Sequence, residues 1–236
     1  MDPIAAFSHK DVSWIVDEIP VEGTLLTPES GSMHPGVVMV AGSGPTDRDW
    51  CSPLLPGTNG SGKLLGEILS KNGFTTIRYD KRASGPNIRK YISRLIGKID
   101  MRGHLEELSG AVSTLIENGH TLNNRVYALT NSEGGIHALN YQLEGEGQKF
   151  RGFVLTGFPG RSIGQVARQQ LLTQLGGTER SDELIRLYDE AVDDFLSGKP
   201  VTNTDKLPDV MKQLLASLTN PANLPFSREN LCRDLH

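Results

Sequence analysis

Val126-Tyr127-Ala128-Leu129-Thr130-Asn131-Ser132-Glu133-Gly134-Gly135 is the stretch on which the fold reading turns. A short apolar strand, residues 125–129, runs into a serine and two glycines. A helical pattern then covers residues 134–143. A serine between a buried strand and a helix is forced into a sharp turn, which lifts its hydroxyl above the strand ends and sets the next N–H beside it. Ser132 is therefore a candidate nucleophile. The usual pattern is Gly-x-Ser-x-Gly. Here Thr130 stands at the first glycine, while Gly134 and Gly135 supply the small residues that a close strand–helix approach needs. A serine that only caps the following helix would present the same letters.

Strand-like and helix-like pieces alternate upstream. Residues 12–16 and 23–26 read as opening strands separated by Pro20. The run Gly36-Val37-Val38-Met39-Val40-Ala41 is continuously apolar, as a buried strand should be. Residues 64–71 have helical spacing and stop at Asn72-Gly73. Residues 74–79 read as a strand, 105–117 as a helix ending at Asn118-Gly119, and 150–155 as another strand. This order predicts an α/β fold, a mainly parallel sheet with helices on both faces. Loops at the carboxyl ends of such strands carry function. Three matter here, after Ala41, after Tyr79 and after Leu129. Beyond residue 160 no strand pattern returns. Segments 163–175, 182–196 and 207–218 are helical and predict a cap over the sheet edge or an oligomerising tail.

Composition narrows the classes. The chain has 236 residues with net charge −4, against the basic surface a nucleic-acid binder usually shows. No apolar run approaches the ~20 residues that span a bilayer. Met1-Asp2-Pro3 does not open a signal peptide. Cys51 and Cys232 match no metal spacing and read as thiols of a reducing compartment. A cytoplasmic protein without metal or cofactor is expected. Residues 57–64 match Gly-x4-Gly-Lys of a phosphate loop, but Leu64 occupies the Ser/Thr position and no strand precedes them.

The loop Ala41-Gly42-Ser43-Gly44-Pro45-Thr46-Asp47-Arg48-Asp49 follows a buried strand. Its glycines free backbone N–H groups to hold a developing oxyanion, so the N–H groups of Ser43 and Glu133 are the candidate donors. A tight structural turn would also use these glycines. Asp47, Arg48 and Asp49 are expected to brace the loop, alongside Asp80, Lys81 and Arg82, unless the charges are merely solvated. The base is the difficulty. His9, His34, His104 and His120 precede Ser132, and His104 reads as a surface residue. His137 lies on the elbow's helix and points away from the nucleophile. His236 is terminal and expected to be mobile.

The blocks AGSGPTDRD, RYDKRASG, TNSEGG and LTGFPGRS, in this order, resemble the α/β-hydrolases, and most of all the bacterial carboxylesterase group allied to the serine aminopeptidase-type hydrolases. The resemblance spans essentially the whole chain. It implies that Ser132 is the nucleophile, that Ser43 is an oxyanion donor and that the helices after LTGFPGRS form a lid. It also implies two further strand–helix units bearing the catalytic Asp and His. No position of this chain takes those roles, so acid and base stay unassigned. The expected division is a core of residues 1–159, a cap of 160–226 and, in 227–236, the start of a truncated core segment, with the last two strands missing. The exposed edge strand 150–155 is then expected to be covered by a homodimer, a swapped segment, a rearranged helical tail or a separate polypeptide. The expected function is a serine esterase of small, short-acyl esters. The alternatives are a truncated or degenerate hydrolase of little activity and a relative cleaving amides or peptides. For the last, the acids Asp182, Glu183, Asp189, Glu190, Asp193 and Asp194 would anchor a free amino terminus.

Overall fold

The computed structural model describes residues 6–53, 56–86, 88–177, 179–202, 204–220 and 223–232. The chain opens with an antiparallel hairpin of β1 (Phe7–Val16) and β2 (Ile19–Pro28). Its turn is Asp17-Glu18, with φ of 47° and 60°. Two positive φ values match the twist of a hairpin. Both charged turn residues find partners, Asp17 on Arg82 and Glu18 on Arg94. Pro20 therefore does not separate the strands as expected; it lies within the ladder opposite Ile15.

Strand–helix units follow: β3 (His34–Val40), α1 (Ser61–Lys71), β4 (Thr75–Tyr79), α2 (Ile88–Leu95), α3 (Met101–Glu117), β5 (Thr121–Asn131), α4 (Gly134–Glu144) and β6 (Gly152–Thr156). The sheet order is β1-β2-β4-β3-β5-β6. β4, β3, β5 and β6 are parallel, and the hairpin joins antiparallel through β2. The fold expectation of a mainly parallel sheet holds. The short helix α2 was not anticipated.

Alternation along β3 places helices on both faces. Val38 and Val40 pack with Leu108, Val112 and Leu115 of α3 and Ala138 and Tyr141 of α4. Val37 and Met39 pack with Leu65 and Leu69 of α1. Successive strand residues face opposite ways, so one apolar run serves both layers. α1 leaves β3 on one face and α3 enters β5 on the other. The order of strand addition switches sides at β3, and such a switch opens a crevice at the carboxyl ends of the strands. The β3 and β5 loops meet there.

Among the described residues β6 pairs only with β5, and its Val154 and Leu155 are 56% and 38% exposed. That is an apolar sheet edge of the kind proteins usually shield.

The described residues form two compact units, one of residues up to 95 with 102–158, the other of 96–101 with 159 onward. The second unit is helical: α5 (Ile163–Leu175), α6 (Glu179–Leu196), α7 (Asp209–Leu218) and α8 (Leu224–Cys232). Leu171, Leu184, Tyr188, Met211 and Leu215 centre its core. α8 packs on α5 and also ties residues 96–101. Phe226 N–H donates to the Ile99 carbonyl at 2.9 Å, and Met101 N–H donates to the Glu229 carboxylate at 2.9 Å. Residues 227–232 of the anticipated core segment lie in α8; Asp234 and His236 fall outside the described residues. No described helix is long and apolar enough to cross a membrane.

Candidate active site

Ser132 stands between β5 and α4 with φ of 50°. The left-handed region costs a residue with a Cβ roughly 1–2 kcal/mol, so the surroundings hold it there. Its N–H donates to the Thr156 carbonyl at the end of β6, 2.7 Å away. The Gly135 N–H closes the turn onto the Ser132 carbonyl at 3.0 Å. Gly134 is required by sterics: a Cβ there would lie 2.5 Å from the Val40 carbonyl oxygen and 2.7 Å from that of Ala41. A Cβ on Gly135 would strike the Phe158 ring at 2.4 Å. Thr130 is accommodated in place of the usual glycine because its side chain turns to β6, where its hydroxyl lies 3.5 Å from the Val154 carbonyl. Thr156 donates back to the Thr130 carbonyl at 2.6 Å.

The β3 loop abuts this elbow. A Cβ built on Gly42 would come within 3.4 Å of the Ser132 Cβ, so Ser43 and Ser132 belong to one site. Neither the Ser43 N–H, the Glu133 N–H nor the Ser132 hydroxyl hydrogen-bonds to another described residue. The acids and bases following β3 and β4 do brace the loop. Arg48 donates its backbone N–H and its guanidinium to Asp80, at 2.7 and 2.8 Å. Arg78 donates to Asp49 at 2.8 Å, and the Asp47 carboxylate accepts the Asp49 and Cys51 N–H groups. Burial raises the Asp80 pKa, and Arg48 opposes that rise.

Beneath the elbow lies a polar cluster that contiguous motifs do not reveal. Lys81 is buried and donates to the Gly42 carbonyl at 2.5 Å. Its Nζ lies 4.0 Å from the Glu133 carboxylate, which in turn is 3.4 Å from His137 Nε2. The His137 ring packs on His104 at 4.4 Å, and His104 Nδ1 is 2.8 Å from Glu107. Glu107 also accepts from the Arg82 backbone and guanidinium, at 3.0 and 2.8 Å. His104 is thus not a surface residue. α3 turns it into the core, where Glu107 three residues on satisfies it. Burial would raise the Glu107 carboxyl, yet His104 and Arg82 outweigh it and bring its pKa to about 2. The same balance, with His137 and Lys81 as the partners, brings Glu133 to about 2. Burial, with the His104 charge, pushes His137 down to about 4. His137 is therefore neutral at pH 7. The spacings Glu133-x3-His137 and His104-x2-Glu107 are the helix-face signals that could have exposed this cluster.

No histidine is brought to the Ser132 hydroxyl among the described residues. His34 and Thr121 begin the parallel strands β3 and β5, and His120 accepts the His34 N–H, so His34 and His120 sit at the opposite sheet edge. His137 faces the core with Glu133. Nor is there a described cluster of three metal-ligating side chains. α1 begins at Ser61, and the described residues before it, 51–53 and 56–60, form no strand.

No family model matches the chain. Over 211 residues, 85% of this chain, it is 28% identical to Esterase EstD of Thermotoga maritima, and it spans about half (46%) of that relative's length. Two solved structures superpose over nearly the whole chain. Alpha/beta hydrolase GrgF from Penicillium sp. sh18 has a TM-score of 0.54 and 16% identity, covering 96% of this chain and 74% of its own. A hypothetical protein from Pseudomonas aeruginosa has a TM-score of 0.55 and 16% identity, covering 98% and 74%. At such identity the likeness is one of fold.

Proposed function

We propose that this chain, a member of the α/β-hydrolase superfamily, is a serine hydrolase of carboxylic esters that works through an acyl-enzyme on Ser132. The observation that carries the reading is the left-handed Ser132 at the carboxyl edge of the sheet, with the Gly42–Ser43 loop against it. In this reading the Ser132 hydroxyl attacks the ester carbonyl. The developing oxyanion is held by the N–H groups of Ser43 and Glu133, neither of which donates to another described residue. Losing one such donor typically costs about 100- to 1000-fold in rate. The alcohol leaves, and water then releases the acid from Ser132. A general base must take the hydroxyl proton, and no described histidine hydrogen-bonds to the Ser132 hydroxyl. The similarity to Esterase EstD favours esters.

The amide alternative has less support. Two of the acids expected to anchor an amino terminus are engaged, Asp189 by Arg168 at 2.9 Å and Glu190 by Arg186 at 2.5 Å. We extend the reading to short-acyl esters, for which p-nitrophenyl acetate is the substrate to try first. Hydrolysis that vanishes in Ser132→Ala, with a fluorophosphonate labelling only the parent chain, supports the reading. Equal turnover by both proteins overturns it.

A further inference from the structure

We propose that Lys81 is a positioning residue for the oxyanion site: from the end of β4 it reaches across β3 and, together with Thr46, sets the direction of the Ser43 N–H. The inference rests on the reading of Ser43 as an oxyanion donor. The described chain contains no cis peptide. Across a planar trans peptide the C=O and N–H point in opposite directions. Lys81 Nζ holds the Gly42 carbonyl at 2.5 Å, so the N–H of that same peptide, which belongs to Ser43, points away from the lysine. The next peptide is held too, because the Thr46 hydroxyl donates to the Ser43 carbonyl at 2.7 Å. Both peptide units flanking Ser43 are therefore anchored by buried side chains, on a loop whose glycines would otherwise let them rotate.

The same ammonium faces the Glu133 carboxylate at 4.0 Å. Glu133 is the residue whose N–H is the other proposed donor. One cation thus bridges the β3 loop and the β5 elbow, the two pieces of chain that must stay in register for two donors to converge on one oxygen. A cation on a carbonyl also polarises the peptide, which strengthens the N–H as a donor in a low-dielectric site. Burial lowers the Lys81 pKa, and Glu133 and Glu107 offset part of that fall. Ser84 fixes the lysine's own backbone, its N–H and hydroxyl both donating to the Lys81 carbonyl at 2.8 and 3.0 Å. A lysine serving only to neutralise Glu133 would not need to end on the Gly42 carbonyl.

The test uses the full chain with 15N-labelled serine and three variants, Lys81→Met, Thr46→Val and Ser132→Ala. Lys81→Met should lower kcat for p-nitrophenyl acetate about 10- to 100-fold, below the loss of a whole donor, with KM changed less than threefold. The Ser43 amide resonance should shift or broaden while that of Ser13 on β1 stays. Thr46→Val, which keeps the side-chain shape, should act in the same direction and decides the matter should Lys81→Met fail to fold. An unmoved Ser43 amide in a folded variant, or a fall confined to KM, overturns the proposal. If Ser132→Ala retains the parent rate, the esterase reading fails. The Ser43 amide still reports separately whether Lys81 sets the peptide.

Discussion

Gly134→Ala places the tightest demand on the elbow. Alanine suits the start of a helix and by propensity alone should add up to about 1 kcal/mol of stability over glycine. Its Cβ, however, would lie 2.5 Å from the Val40 oxygen, 2.7 Å from the Ala41 oxygen and 3.0 Å from the Val40 carbonyl carbon. The first distance falls about 1 Å short of ordinary van der Waals contact. All three atoms are backbone, so no rotamer change relieves the overlap; α4 and the end of β3 must separate. Overpacking costs about 1–3 kcal/mol, and with only backbone atoms to yield the upper end applies, which leaves a net loss of about 2 kcal/mol after the propensity gain. For a chain of this size that is a fall in Tm of about 4–8 °C. The displacement falls on the peptides leading into Gly42 and Ser43. A misplacement of ~1 Å at a reacting centre costs on the order of 100-fold in rate. Gly135→Ala is the control. Its nearest neighbour, at 2.4 Å, is the Phe158 ring, which can turn aside, so the loss should be smaller. Thermal melts and ester turnover of the two variants decide the matter. A Gly134→Ala protein as stable and active as the parent, or one less perturbed than Gly135→Ala, would refute the close-approach argument.

Ser132→Gly should relieve the strain at φ 50° and raise stability by about 0.5–1 kcal/mol. It should abolish ester turnover, and a urea titration beside Ser132→Ala, which keeps the strain, measures the difference. Glu107→Gln should destabilise by about 3–5 kcal/mol, because it leaves Arg82 and His104 without their shared carboxylate in the core. Chemical denaturation reads this, and a loss below 1 kcal/mol would contradict it. Stability should also fall on acidification in two steps. His137 has a folded pKa of about 4 against an ordinary 6.5. The unfolded chain therefore takes up its proton first, and stability drops between pH 6.5 and 4. Glu107 and Glu133 have folded pKa values of about 2 against 4.5. Their contribution is present above pH 4.5 and is lost as pH falls towards 2. Tm measured against pH should show both windows, and His137→Phe should erase the first while weakening the Glu133 part of the second, because His137 helps to hold that carboxyl low.

Contiguous sequence determined the features that depend on near neighbours. Strand and helix alternate in the chain with periods of 2 and 3.6, so β3, β5, α1 and α4 were readable from their own residues, as were the elbow at Ser132 and the glycine-rich loop at Gly42. Local reading failed where a signal had two uses. Pro20 reads locally as a break but sits in β2, because the Asp17-Glu18 pair makes the turn with partners on distant arginines. His104 reads locally as a surface residue because Glu106 and Glu107 follow it. Only packing α3 against the sheet shows that Glu107 faces inward with it. Tertiary structure alone decided the strand order β1-β2-β4-β3-β5-β6 and hence that loops 90 residues apart meet at one crevice. It alone carried Lys81 to the Gly42 carbonyl, 39 positions away. Whether a buried charge is a site or a cost depends on which partners the fold sets within a few ångströms, and spacing along the chain does not encode that distance.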